Sequence, residues 1–257
     1  MARTPAQNTT SSPYKTPDKA PRLRAKKTSL GRKLWLLTKW TFAITCSVFL
    51  LFQLWFLTHI LWWKSNPPPS TAFMRQRSDE NPGLAIQYHF VPYQQISPHL
   101  KRALIAAEDA HFLMHKGFDW EGIRIAYLKN QKRGYSYAGG STISQQLAKN
   151  LFLTSDKNFI RKGQEAIITV MLENIWSKAR ILEVYINVIE WGNGIFGAEA
   201  AAQHYFNVSA GKLSLGQATR LAAMVPRPLY YQNRTGSSVL QRKASTVRAR
   251  VSSAQIP

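Results

Sequence analysis

Three short segments of this 257-residue sequence place reactive residue types at informative spacings. In Glu108-Asp109-Ala110-His111-Phe112-Leu113-Met114-His115-Lys116-Gly117, Glu108 follows Leu104 by four residues and Leu100 by eight. It therefore shares their apolar face near a helix end. A carboxylate there is partly desolvated, which lifts its pKa toward the range of a general base. A capped or salt-bridged surface acid is the plainer alternative. His111 and His115, four residues apart, suggest zinc, but no Glu stands between them in the metalloprotease arrangement and no third ligand is near.

The second segment is Gly139-Gly140-Ser141-Thr142-Ile143-Ser144-Gln145-Gln146-Leu147-Ala148-Lys149-Asn150. Two glycines opening a helix let backbone amides approach an anion, which the helix dipole also favours. Thr142, Gln145 and Lys149 then form a donor-rich stripe ending in a cation, suited to phosphate or sugar hydroxyls; the plainer reading is a well-capped surface helix. In the third segment, Arg161-Lys162-Gly163-Gln164-Glu165, Arg161 and Glu165 have the spacing of a helix-surface ion pair. The same residues suit a diphosphate leaving group, with the carboxylate free to hold a divalent metal.

The elements that must position these residues are mostly helical. Ser97-Pro98 reads as an N-cap followed by proline at the first helical position, with Leu100, Leu104 and Ala107 as the buried stripe. Thr142 and Gln145 have capping-box spacing at the head of a helix over 141–153, where Ile143, Leu147 and Leu151 repeat at helical period. Further helices are expected over 158–176, 178–189, 197–206 and 214–225, the last halted by Pro226. Strand-like alternation is confined to Ala85–Val91.

Charge and hydropathy divide the chain. The net charge is +21. Eleven of the 34 Lys and Arg residues precede residue 65, against the single acid Asp18, and the remainder carries 34 − 11 = 23 basic and 13 − 1 = 12 acidic residues. Both parts favour an anionic partner: nucleic acid, anionic lipid or a phosphorylated substrate. Trp40 to Trp63 carries no formal charge, and as a helix it rises about 36 Å, enough to cross a bilayer core. Trp35 and Trp40 at one end and Trp62 and Trp63 at the other suit the two interfaces. Arg22, Arg24, Lys26, Lys27, Arg32, Lys33 and Lys39 before the span predict a cytoplasmic N-terminus, placing residues 64–257 outside and demoting nucleic acid as a partner. Asn66-Pro67-Pro68-Pro69-Ser70 reads as a stiff linker. The single cysteine, Cys46, excludes an intramolecular disulfide.

In this order, Glu108-Asp109-x-x-Phe112-x-x-His115-x-Gly117, Gly139 through Lys149-Asn150, and Arg161-Lys162-x-x-Glu165 closely resemble the glycosyltransferase family 51 module of penicillin-binding proteins. The likeness continues through Lys178–Asn187 and Gly192–Gly197 to Ala201–Phe206. The run Glu190–Glu199 is similar to the monofunctional biosynthetic peptidoglycan transglycosylases. It covers about residues 80–230, departing at Ile186, where leucine is usual, and at Arg227, where asparagine often follows the proline.

The resemblance implies a mainly α, lysozyme-like domain: a globular lobe and a small membrane-facing lobe behind one transmembrane helix. Composition and the resemblance together divide the chain into a disordered basic cytoplasmic tail (1–37), a transmembrane helix (38–63), a linker (64–79), the catalytic domain (80–230) that the resemblance covers, and a basic C-terminal extension (231–257). It implies that Glu108 deprotonates the acceptor 4-hydroxyl of lipid II, that Glu165 assists at the diphosphate or through a divalent ion (Mg or Mn), and that no organic cofactor takes part. Lys149, Arg161 and Lys162 would offset leaving-group charge, and Ser141, Thr142, Gln145 and Gln146 would line the cleft. Asp109, Phe112, Gly117, Glu183 and Asn187 would be structural. Phe118, Trp120, Ile123, Ile125, Tyr127 and Leu128 would either dip into the outer leaflet or form an ordinary core helix, followed by basic Lys129, Lys132 and Arg133. The implied partners are lipid II, the polyprenyl-diphosphate-linked glycan chain, the membrane and other cell-wall or division proteins, at the bacterial inner membrane with the catalytic domain periplasmic. With about thirty residues after Pro226, no peptide-cross-linking module is expected. A lysozyme-like hydrolase, a non-catalytic division scaffold and a basic DNA-binding protein are the rival readings.

Overall fold

The computed structural model describes residues 1–2, 29–133, 139–156 and 158–257. Arg22, Arg24, Lys26 and Lys27, on which the expected orientation partly rests, lie outside them, as does most of the expected tail. The chain divides into two compact units, residues 1–50 and 51–257. In the first, the described residues belong mainly to the opening part of helix α1 (Ser29–Trp63), where large apolar side chains such as Trp40, Phe42 and Leu50 are exposed. From Gly31 to Trp63 this helix is long and apolar enough to cross a membrane. It starts earlier than residue 38, since no proline stands between Ser29 and Trp40 and Gly31 falls within the first turn.

The second unit holds the end of α1 and the candidate site residues. Phe56, Ile60 and Trp63 are buried, with Phe56 and Trp63 packed on the Phe152 ring at centroid distances of 5.3 and 5.2 Å. No basic residue stands in the last turn of α1, so its carbonyls draw on another helix. Arg180 donates to Trp63 O at 2.6 Å and to Asn66 O at 2.7 Å, a cation at a helix C-terminus. The segment expected as a linker, 64–79, is only partly extended. Thr71 caps α2 (Ala72–Glu80), whose Met74 is buried and whose Arg77 grips Glu190 through both carboxylate oxygens.

The helices then follow as α3 (Pro98–Glu108), α4 (Trp120–Arg133), α5 (Ile143–Phe152), α6 (Phe159–Ile175), α7 (Lys178–Val188), α8 (Ala198–Phe206), α9 (Leu215–Met224), α10 (Pro228–Tyr231) and α11 (Ser238–Arg250). Ser97, Thr142, Asn158, Ser177, Ser214 and Ser237 each cap the helix that follows them. The core forms where α3 packs on α9, and α5 on α6 and α7, closing over Leu100, Leu104, Leu147, Leu151 and Trp191. Of the alternating stretch 85–91, only β1 (Gln87–Tyr88) pairs as a strand. It runs parallel to β3 (Ile195–Phe196), which is antiparallel to β2 (Glu190–Gly192). Beyond β1, Val91 is held instead by the Asn187 side chain, which accepts from its N–H at 2.8 Å and donates to its carbonyl at 2.9 Å.

One expected boundary shifts, and one of two alternative readings of α4 drops out. The packed unit does not end near residue 230: α11 lies against α9 and α3, and Leu240 and Val247, seven residues apart on one face, enter the core. Helix α4 is not an ordinary core helix, for Ala126 is buried while Trp120, Ile125, Tyr127 and Leu128 are exposed.

Candidate active site

Glu108 is the last residue of α3, and the next residue fixes where it points. Asp109 caps the helix, its N–H donating to Ile105 O at 3.0 Å. Its carboxylate accepts from Ile143 N at 3.0 Å and from His115 Nε2 at 2.9 Å. His115 Nδ1 in turn accepts from Gly117 N at 3.1 Å, so Nε2 carries the proton that goes to Asp109. The anion held by the α5 N-terminus is therefore Asp109's own carboxylate. His111 faces a different acid, Asp119, at 2.9 Å. The two histidines diverge, and among the described residues no group of three His, Cys, Asp or Glu could hold a metal.

Thr142 spends its hydroxyl on the fold. It donates to Gly117 O at 2.6 Å and accepts from Gln145 N at 3.2 Å, while Gln145 Oε1 returns a contact to Thr142 N at 3.1 Å. Gly117 sits at φ +90, where a Cβ would also run into the Thr169 methyl, so this junction requires glycine. Gly140 passes the Ile123 backbone closely enough that a side chain would press on α4.

With the α3–α5 junction fixed, the next turn of α5 faces a hollow of about 500 Å³. Glu108, Ser141, Gln145, Gln146, Lys149 and Glu165 all line it. Gln146 Nε2 donates to Glu108 Oε2 at 2.8 Å. Burial pushes the Glu108 carboxyl above its usual range; the Gln146 hydrogen bond and the charge of Lys243 act the other way. Lys243, on α11, lines the same hollow. Sequence reading missed it because the C-terminal segment lacks a motif; the repeat of Leu240 and Val247 was the available signal that α11 folds onto the domain.

Glu165 is buried and fully engaged. Arg161 donates to one oxygen at 2.8 Å and Lys162 to the other. Lys162 also reaches Ser141 Oγ at 3.4 Å, and Arg161 donates to Asp156 O. Arg161, Lys162 and Thr142 are not among the residues lining this hollow; Arg161 and Lys162 connect to it through Glu165, and Lys162 also through Ser141. Both Glu165 oxygens are thus bound by cations, and among the described residues no group of three or more His, Cys, Asp or Glu stands together around it.

Lys149 differs from these two cations. Among the described residues it forms no ion pair, and its ammonium lies 5.7 Å from the Phe73 ring centroid. Desolvation lowers its pKa. Lys149 and Gln146 also border a second hollow of about 480 Å³, whose far wall carries Phe73, Arg77, Glu190, Arg227 and Tyr230. Residues 81–252 match the family described as transglycosylase. The chain belongs to the transglycosylase family. Its relatives include the biosynthetic peptidoglycan transglycosylase of Dechloromonas aromatica, 57% identical over 214 residues, 82% of this chain and 93% of that one. The protein of the same name from Laribacter hongkongensis is 53% identical over 219 residues, 84% and 96% of the two chains. That of Thiobacillus denitrificans is 50% identical over 230 residues, 88% and 99%. In this transglycosylase fold the acid of the first motif, the glutamines and lysine of the second and the glutamate of the third meet in one cleft.

Proposed function

We propose that this transglycosylase polymerises lipid II, adding the disaccharide of one lipid-linked unit to the anomeric carbon of a growing chain held by its polyprenyl diphosphate. The observation that carries the reading is the pairing, in one hollow, of a desolvated carboxylate with a desolvated lysine. Glu108 takes the proton of the acceptor 4-hydroxyl. The freed oxygen bonds to the anomeric carbon as the bond to the diphosphate breaks, with inversion, and Lys149 meets the charge that grows on the leaving group. Lys162 and Arg161, anchored on Glu165, add positive field to the same hollow. Incubating the purified protein with labelled lipid-linked disaccharide is expected to yield β-1,4-linked polymer. Failure to extend the precursor, with cleavage of preformed glycan instead, would make the protein a hydrolase.

The proposed setting is a single-pass inner-membrane protein with residues 64–257 periplasmic. The basic residues Arg32, Lys33 and Lys39 at the start of the apolar helix support that orientation. The exposed Trp120, Ile125, Tyr127 and Leu128 of α4 suit contact with lipid, with Lys129 and Lys132 close to phosphate headgroups. A reporter active only outside the cytoplasm, fused after Pro257, is expected to be active. Activity of a cytoplasmic reporter at that point, with silence of the first, would overturn the topology.

A further inference from the structure

Tyr185 lies on α7 with no exposed surface, in a motif that the proposed chemistry does not use. Its hydroxyl donates to Gln146 Oε1 at 3.0 Å, and the same amide donates through Nε2 to Glu108 at 2.8 Å. Among the described residues, it is Gln146 that donates a side-chain hydrogen bond to the Glu108 carboxylate. We propose that Tyr185 is a positioning residue for the base, its hydroxyl holding the Gln146 amide with the N–H edge toward Glu108. This rests on the reading of Glu108 as the base.

A side-chain amide presents a donor on one edge and an acceptor on the other, and a half-turn exchanges them. Were Gln146 reversed, its oxygen would face the carboxylate oxygen, and two acceptors in a poorly solvated pocket repel. The reversed amide is compatible with Glu108 only when that acid is protonated and can donate. The orientation of Gln146 is therefore coupled to the protonation state of Glu108, and Tyr185 biases the amide toward the form that favours the carboxylate. Burial, then the nearby carboxylates of Glu108 and Asp109, raise the Tyr185 phenol well above its usual value, so it remains a donor across the working pH range. The charged groups acting on Glu108 come from several elements: Lys243 of α11, Lys149 of α5 and Asp109 beside it. Their charges act whichever way Gln146 faces, whereas the hydrogen bond that Gln146 donates to the carboxylate exists in one orientation only.

The test is kcat/KM against pH for the wild-type protein, Tyr185→Phe, Gln146→Met and the double variant, with Glu108→Gln as control. Removing a hydrogen bond donated to a carboxylate raises its pKa, and one pKa unit is tenfold in the ionised fraction on the acid limb. Tyr185→Phe is therefore expected to move the acid limb up by about one pH unit, with about tenfold loss on that limb and recovery at alkaline pH. Gln146→Met should move it at least as far, and the double variant no further, because both changes remove one linkage. An unmoved acid limb in Tyr185→Phe, an equal loss at every pH, or additive shifts in the double variant would each overturn the proposal. If Tyr185→Phe does not fold, an unmoved limb in Gln146→Met does the same. The control separates this failure from a broader one: a folded Glu108→Gln protein that polymerises normally removes the base itself.

Discussion

Glu108→Gln is expected to fold, to melt at or above the wild-type temperature, and to lose polymerisation by about 10²–10⁴-fold, the usual contribution of a positioned general base. Activity and stability should therefore move in opposite directions. Burial raises the Glu108 pKa above its unfolded value. A group shifted that way contributes stability below its unfolded pKa and loses it as pH rises through the folded pKa, so at neutral pH its ionised form opposes folding. Glutamine keeps the shape of the side chain and removes that opposition, but cannot take the acceptor proton. The stability gain should shrink as pH is lowered, while the activity loss should remain at every pH where the wild type turns over. Thermal melts and turnover measured on the same preparations decide it. Correctly folded Glu108→Gln protein retaining more than a tenth of wild-type turnover removes Glu108 as the base.

The legible parts of this molecule were those encoded by neighbours in sequence. Capping residues such as Ser97, Thr142 and Ser214 mark helix starts within one turn of the residues they serve, and the periodic leucines of α3 and α5 identify their buried faces. The alternation over 85–91 over-read the strand: pairing beyond β1 depends on Asn187, far along the chain, taking the place of a partner strand. The same limit governs the site. Glu108, Gln146, Lys149 and Glu165 could be identified from their motifs, but no spacing reveals that Gln146 bridges Glu108 to Tyr185 or that Arg77 secures Glu190. Thr142 illustrates a residue type with two possible uses. Its hydroxyl suits a sugar as well as a cap, and no spacing in the sequence reveals that it donates to Gly117 O. Lys243 was hidden for another reason: nothing local distinguishes one basic residue of α11 from its neighbours until that helix is laid against α3 and α9.

Under the proposed reaction, Lys149, Arg161 and Lys162 are not expected to be equivalent. Arg161 and Lys162 are both paired to Glu165, so much of their charge is already offset, and the Lys162 side chain is 46% exposed, where water screens it. Lys149 forms no ion pair among the described residues, and desolvation holds its pKa below the ordinary lysine value. Such a group gains most when a negative charge develops beside it, because the interaction strengthens in the transition state more than in the bound substrate. Lys149→Ala is therefore expected to lower kcat by about 10²–10³-fold with little change in KM, the loss typical of removing one preorganised donor. Lys162→Ala should fall clearly less. Lys149→Arg should recover part of the rate, since charge returns in a planar and bulkier form. The pH profile supplies a second, independent readout. Wild-type turnover should fall at alkaline pH as Lys149 loses its proton, below the range of an ordinary lysine, whereas Lys149→Arg should lack that limb because a guanidinium stays charged. If Lys149 merely supported the packing of α5, Lys149→Ala would instead melt several degrees lower, regain wild-type turnover when assayed cold, and leave the alkaline limb in place.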